Sequence, residues 1–573
     1  MFDQTKNFYR ADKLFTERDT LDISEATFER IVKTLQAFDL AKTGDDIKGI
    51  AFEKFLGATF RGDLGQYFTP RPVVDFMVDM LDPAEGQLVC DPAAGSGGFL
   101  IRAFEHVRGK IERELQAEKD RRKAEIEAQG LDADAEADAI EAAFLRINRE
   151  LLPSTDDNKP VDTRLGRLAW NCVFGTDAEP RAARTAKMNM IMHGDGHGGI
   201  HHHDGLVDVN GIFPDRFDLI ITNPPFGSSV GRDQKLGDSD ETRVATDDET
   251  IGKHRARYGA AWEENHARLS AAQEERTPVL DLFEIGRGKA ARDTEVIFVE
   301  RCLRLLKPGG LLSIVLPDGN LNNPSLDWLR RWCEGRAKLL AVVSLPEETF
   351  RSSRATVKCS VVVLRRFTVD EEAAWEAAWE AAHAALDGSY ADERDAACAA
   401  ARPLVLTGGD AEVKRALEAL AALGEEQVGP GWRPGPPPPY PRMAAPSRAE
   451  PARWVKQGTD AKALRLARAA LKAAWTDAPK AASAEASRAL ARRLKRIDAD
   501  HTAALWEHVR AAFDYPVFLA APRSVGISST GDTGDTVPNE LPGVLAAWRA
   551  FTEWLDAGAP AEGLPDFPAP LAA

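Results

Sequence analysis

Residues 88–99 read Leu-Val-Cys-Asp-Pro-Ala-Ala-Gly-Ser-Gly-Gly-Phe. A short apolar run ends in Asp91, turns through Gly95, Gly97 and Gly98, and opens an amphipathic helix pattern at Phe99. Glycines at a strand-to-helix turn let the backbone approach a ligand closely. The free N–H groups at the helix start favour an anion such as a carboxylate. Outward from this turn, the pattern of 66–370 repeats strand then helix. Strand candidates are Leu88–Cys90, Asn171–Phe174, Phe217–Ile221, Leu311–Leu316, Leu340–Ser344 and Val357–Leu364. Helix candidates are Val73–Leu81, Phe99–Val107, Arg181–His193, Thr294–Leu306 and Leu326–Trp332. Apolar strands alternating with helices predict an α/β fold: a mostly parallel sheet covered on both faces.

The chain has 573 residues, 44% hydrophobic and 28% charged, enough to bury a core. At about 150 residues per domain it predicts three or four domains. No run of 18 apolar residues and no charged-then-apolar leader occurs, which argues against a membrane span or a secretory signal and for the cytoplasm. Six cysteines without a C-x-x-C pair argue against a disulfide scaffold or a zinc site. Net charge is −17. A protein that clamps nucleic acid alone is usually basic, so such a role here requires a local basic patch or a basic partner.

Four segments follow from the pattern. Residues 1–65 read as helical, with Ser24 as an N-cap. Residues 66–370 carry the α/β pattern, broken by a charged, helix-like insertion at 108–165 and a polar insertion at 228–290 that reads as a mobile loop. Residues 371–514 are Ala-rich and helical, divided by a Pro/Gly linker at 429–441. Residues 515–573 hold a short strand, Tyr515–Ala520, and a last helix near Leu541–Leu555. Within 451–510, Lys and Arg number 13 against 6 Asp and Glu. That excess suits either phosphate tracking or a solvated helix with i,i+4 charge pairs.

Two further signals follow the glycine turn. Gly175-Thr176-Asp177 ends the second strand, where a carboxylate can accept two hydrogen bonds from a ribose diol. Thr222-Asn223-Pro224-Pro225-Phe226-Gly227 ends the strand Phe217–Ile221. Consecutive prolines fix the backbone and remove donors, leaving carbonyls that only accept. Asn223 adds a side-chain acceptor, so the group can take both hydrogens of an exocyclic amine. Phe226 offers a flat face to a planar ring.

The order QYFTP (66–70), DPAAGSGGF (91–99), GTD (175–177) and NPPFG (223–227) resembles the gamma-class DNA adenine-N6 methyltransferases. It is most similar to the modification subunit of type I restriction systems. GQYFTPRPVVDFMV (65–78), AKMNMIMHGD (186–195), LPDGNLNNPS (316–325), VVSLPEETFRSSRATVKCSVVVLRR (342–366) and the tail from 517 to 541 carry the same resemblance. It implies a Rossmann-like methyltransferase sheet with a helical N-terminal segment and a helical C-terminal insertion, and S-adenosylmethionine as cofactor. By the same resemblance, Gln66, Tyr67, Phe68, Thr69 and Pro70 match the N-terminal cofactor motif. Asp91, Ala94, Gly95, Ser96, Gly97 and Phe99 match the main cofactor loop, and Asp177 the ribose carboxylate. Asp204, with Asp208 as the neighbouring alternative, matches the residue that binds the cofactor's adenine. Asn223, Pro224, Pro225 and Phe226 match the catalytic tetrapeptide.

The implied partners are double-stranded DNA, a separate specificity subunit, and a restriction or helicase chain, since neither motif occurs here. Residues 371–510 have no counterpart in the resemblance and leave a recognition domain, a partner-docking arm or a family-specific insertion open. Two other functions fit parts of the pattern: a DNA-defence subunit that binds the cofactor without methylating, and a methyltransferase of protein glutamine. The histidines His193, His197, His201, His202 and His203 read as a solvated loop, because the intervening glycines give no rigid ligand geometry, and no metal site is expected.

Overall fold

The computed structural model describes residues 23–36, 69–155, 159–194, 199–353, 357–406, 478–528 and 537–558, with Lys6 and Thr20. Gln66, Tyr67 and Phe68, most of the helical reading of 1–65 and the linker at 429–441 lie outside the described residues. The chain divides into two compact units, 1–368 with 516–573, and 369–515. No helix among the described residues is long and apolar enough to cross a membrane.

Among the described residues, the first unit holds ten strands. They are β1 (Val89–Asp91), β2 (Val173–Asp177), β3 (Ile200–His202), β4 (Phe217–Thr222), β5 (Ser229–Gly231), β6 (Ala291–Asp293), β7 (Leu306–Pro317), β8 (Ala337–Ser344), β9 (Cys359–Arg366) and β10 (Phe518–Ala520). Eight of them form one sheet in the order β10-β8-β9-β7-β4-β1-β2-β3. Every neighbouring pair is parallel except those of β9, which runs against β7 and β8. The chain lays β2 and β3 on one side of β1, then returns to place β4 on the other. The strand order therefore reverses between β1 and β4, where doubly wound sheets bind ligands beyond their carboxyl ends.

Alternation along the strands splits the core between the two faces. Val361 and Val363 join one cluster with Leu219, Ile221 and Val315. Val362 and Leu364 join the other with Ile220, Leu312 and Ile314. Both faces are covered, so the strands read as unbroken apolar runs. Helices α1 (Glu25–Leu35), α2 (Arg71–Leu81), α3 (Gly98–Glu127), α4 (Ala133–Arg149), α5 (Arg164–Asn171), α6 (Pro180–Met192), α7 (Asp248–Glu274), α8 (Thr294–Leu305) and α9 (Asp327–Glu334) precede the second unit. Ser24 caps α1, accepting the Thr27 amide. The helix read as 99–107 continues to Glu127, and with α4 makes up much of the 108–165 insertion.

The insertion at 228–290 differs from the mobile loop expected. It holds β5, which pairs antiparallel with β6, and the 27-residue α7, kinked at Gly259. Only Trp262 and Leu269 of α7 are buried, so its apolar stripe is too thin to read in sequence.

Among the described residues, the second unit holds two long helices, α10 (Val369–Leu406) and α11 (Ala478–Ala512). Trp375 meets Phe513, Trp379 meets Trp506, and Tyr390 donates to Asp498 at 2.6 Å, so the pair is antiparallel. The last helix of the first unit, α12 (Leu541–Asp556), packs on α2. There the buried Trp548 indole N–H donates to the Met80 carbonyl at 2.9 Å.

Candidate active site

The carboxyl ends of β1, β2 and β4 converge. Asp91 closes β1 almost wholly buried; its Oδ1 accepts the Thr222 hydroxyl from the end of β4 at 2.7 Å and the Ala93 amide at 3.0 Å. Its Oδ2 is buried without a partner. Burial pushes this carboxyl up to about 7, against the two hydrogen bonds that favour its ionised form. The following turn is tied to β2: the Ala94 amide donates to Thr176 O at 2.8 Å and the Thr176 hydroxyl to Pro92 O at 3.0 Å. Gly97 is left-handed, with φ 86°, and starts α3. A Cβ on Gly175 would lie 2.6 Å from Leu100 Cδ1 and 3.1 Å from Asp91 O.

Asp177 is the last residue of β2. Its Oδ2 accepts the Gly95 amide at 2.9 Å and its Oδ1 the Glu179 amide at 2.8 Å. Burial outweighs both bonds and raises its carboxyl to about 6. The ribose candidate is thus fastened to the glycine turn.

Asn223 follows β4. Its Nδ2 donates to the Thr69 hydroxyl at 2.9 Å, and its Oδ1 is buried without a partner. Thr69, Asp91, Ala94, Gly95, Ser96, Phe99 and Asn223 line one pocket. Pro70 caps the start of α2, beside Thr69. Pro224 is buried and Pro225 exposed, while Phe226 is half-buried against the core cluster that includes Val73 and Val74. The turn after Phe226 is stitched to α8: the Thr294 amide donates to Ser228 O at 3.0 Å, and the two hydroxyls lie 2.8 Å apart.

Asp204 and Asp208 are separated by their partners. Asp208 pairs with the buried Arg301, whose Nε also donates to Gly205 O at 2.7 Å. Asp204 accepts the Leu206 amide at 2.9 Å and is raised by burial, and it does not line the pocket.

Two residues of the quoted motifs carry no role in the sequence reading. Thr222 sits one position before the tetrapeptide and binds Asp91. Asn189 lies in the quoted stretch 186–195; it lines the pocket, donates from Nδ2 to Ser96 O at 2.9 Å, and keeps a buried, unpartnered Oδ1. A lone asparagine inside a helix is the only signal the sequence offers for it.

The solvated histidine loop is a correction. Residues 200–202 form β3, pairing with Gly175, Thr176 and Asp177. His193 and His203 are buried: His193 Nδ1 meets Glu105 at 2.7 Å, and His203 Nε2 meets Arg243 O at 3.3 Å. Gly199 makes the strand possible, because a Cβ there would fall 2.0 Å from Val173 O. His197 lies outside the described residues.

A model of the N-6 DNA methylase family matches residues 43–142 and 158–258. The methylase subunit of the type I restriction enzyme StySPI of Salmonella potsdam is 30% identical over 193 residues, 33% of this chain and 28% of that subunit. The corresponding EcoEI subunit of Escherichia coli is 22% identical over 291 residues, 50% of this chain and 40% of that one. A solved type I methyltransferase subunit from Streptococcus thermophilus aligns at 18% identity and TM-score 0.36, over 64% of this chain and 59% of that one. The chain is therefore similar to type I methylase subunits, and the matches span less than half the length of these curated relatives.

Proposed function

Starting from this likeness, we propose that the chain is an S-adenosylmethionine-dependent DNA adenine-N6 methyltransferase, the modifying subunit of a restriction or phage-defence assembly. The observation that carries the reading is the pair of unpartnered acceptors, Asp91 Oδ2 and Asn223 Oδ1, at a pocket at the carboxyl ends of β1 and β4. Buried polar atoms without partners are costly unless a ligand completes them. The residues fit the cofactor: the start of α3 suits its carboxylate, Asp91 its ammonium, and Asp177 its ribose.

When bound, S-adenosylmethionine supplies a methyl group on a sulfonium, already activated for transfer. The residues of this chain then position the nucleophile. An adenine within a duplex must be flipped out, at a cost of a few kcal/mol. Phe226 stacking returns on the order of 1–3 kcal/mol. With Nδ2 donating to the Thr69 hydroxyl, the Asn223 Oδ1 is left unpartnered for the target amine. Oδ1 and the Pro224 carbonyl accept its two N–H groups. This favours a pyramidal nitrogen and stabilises the positive charge that develops on it. The methylated nitrogen then releases one proton to water, so no dedicated general base is needed and positioning provides most of the acceleration.

The likeness to type I methylase subunits supports a separate specificity subunit for site selection and a further restriction or helicase chain for cleavage, and the acidic net charge is consistent with a partner supplying the DNA clamp. The assembly works on chromosomal and invading DNA in the cytoplasm. Long-read sequencing of host DNA with and without the gene tests the reading. N6-methyladenine in one defined context, present only with the gene, is the expected result. A cofactor-binding complex that leaves DNA unmodified would instead make the chain a sensor.

A further inference from the structure

Asn189 is the strongest unassigned feature of the pocket. It is 4% exposed and stands on α6, fastened to α3 on either side of it. Before it, Ala186 lies so close to Gly97 that a Cβ on the glycine would be 3.3 Å away. After it, His193 Nδ1 meets Glu105 of α3 at 2.7 Å. The side chain between these anchors has little freedom.

Its orientation is set by chemistry. Ser96 O can only accept, so the amide group 2.9 Å away must be Nδ2. Oδ1 is therefore the atom left buried without a partner, on a pocket wall shared with Asp91 and Asn223. Asp91 Oδ2, Asn189 Oδ1 and Asn223 Oδ1 are all acceptors. A pocket with three open acceptors selects a ligand rich in donors.

Resting on the cofactor assignment above, we propose that Asn189 is a further binding residue, whose Oδ1 accepts a hydrogen bond from the ammonium of the cofactor's amino-acid end. An amino acid carries its carboxylate and ammonium on one carbon. A carboxylate at the start of α3 therefore holds the ammonium beside the glycine turn, where Asn189 is bonded to Ser96. The ribose hydroxyls are directed to Asp177 at the end of β2, and Asn223 faces the target amine. Asn189 thus complements Asp91 with a neutral acceptor that adds no further negative charge beside it.

The test is a two-ligand cycle read by calorimetry on the full chain, with S-adenosylhomocysteine and its analogue lacking the α-amino group. The wild type should bind the analogue about 10- to 100-fold more weakly, the range for hydrogen bonds to a charged group. Asn189→Ala should weaken S-adenosylhomocysteine about tenfold while leaving the analogue within about twofold, so the ratio between ligands shrinks. A general loosening of the pocket lowers both affinities together. If Asn189→Ala does not fold, Asn189→Ser reads the same ratio. An unchanged ratio in a folded variant overturns the assignment of Asn189 and leaves the cofactor reading intact. A wild type that binds neither ligand overturns both.

Discussion

The Asn223 side-chain amide donates to the Thr69 hydroxyl at 2.9 Å, joining residues 154 positions apart. One comes from the end of β4, the other from just before α2. The contact occupies Nδ2 and leaves Oδ1 without a partner.

Asn223→Ala is expected to lower methyl transfer by about 10²- to 10³-fold, since it removes the acceptor aimed at the reacting nitrogen. Its unfolding midpoint should stay close to wild type. Thr69→Val tests the orienting role. It frees the amide to rotate, so kcat should fall about 10- to 100-fold with KM for the cofactor little changed. Steady-state kinetics on the assembled complex separates the two parameters, and a KM effect alone would assign Thr69 to cofactor binding.

Asp91 gives a pH signature. Its carboxyl stands at about 7 in the folded chain against an ordinary value of 3.8. Between those values the folded state holds a proton that the unfolded state has released. This contribution to stability is complete below about pH 4 and is lost as pH rises through about 7. Asp91→Asn should flatten that slope and raise stability at about pH 8. A cationic ligand favours the ionised carboxylate, so cofactor affinity should rise between about pH 5 and about pH 7. Denaturation and calorimetry across that interval measure both trends.

Gly205 and Gly98 make a matched pair. A Cβ on Gly205 would lie 1.9 Å from the Pro92 carbonyl oxygen, and backbone must move to admit it. Gly205→Ala should cost about 1–3 kcal/mol or more and displace the glycine turn. A Cβ on Gly98 meets nothing within 4 Å. Gly98→Ala should be neutral, or stabilising by about 0.4–1 kcal/mol through the unfolded chain. Chemical denaturation compares them, and equal losses would refute the steric account.

Trp548 ties the C-terminal helix to the sheet unit. Trp548→Phe keeps most of the ring but leaves the Met80 carbonyl unpaired, a loss of about 1–3 kcal/mol. Trp548→Ala should cost about 3–5 kcal/mol. A small effect of both would mean that α12 detaches without disturbing the core.

Much of this was legible in sequence because the relevant signals are local. The turn at 91–99 and the proline pair at 224–225 announce their backbone, and apolar runs such as 357–364 announce buried strands. What stayed hidden depends on distant partners. β3 contains two histidines and becomes a strand through backbone pairing with Gly175–Asp177. Helix α7 buries too few side chains to show a stripe. Asn189 is told apart from other helical asparagines only by the carbonyl of Ser96. The edge of β4 is informative in both senses: Asn223 stands out beside two prolines, whereas Thr222 is known only by its bond to Asp91.

The position of β10 bears on how the protein is made. This strand lies parallel on the edge of β8, yet it is translated only after residues 369–515. At about 5–20 residues per second, that stretch occupies the ribosome for roughly 7–30 s. Throughout it, the nascent sheet carries a bare flank of apolar β8, open to any passing strand. Synthesis of this protein therefore includes a window of self-association, one that a trigger-type chaperone or slow local codon usage would lengthen or guard.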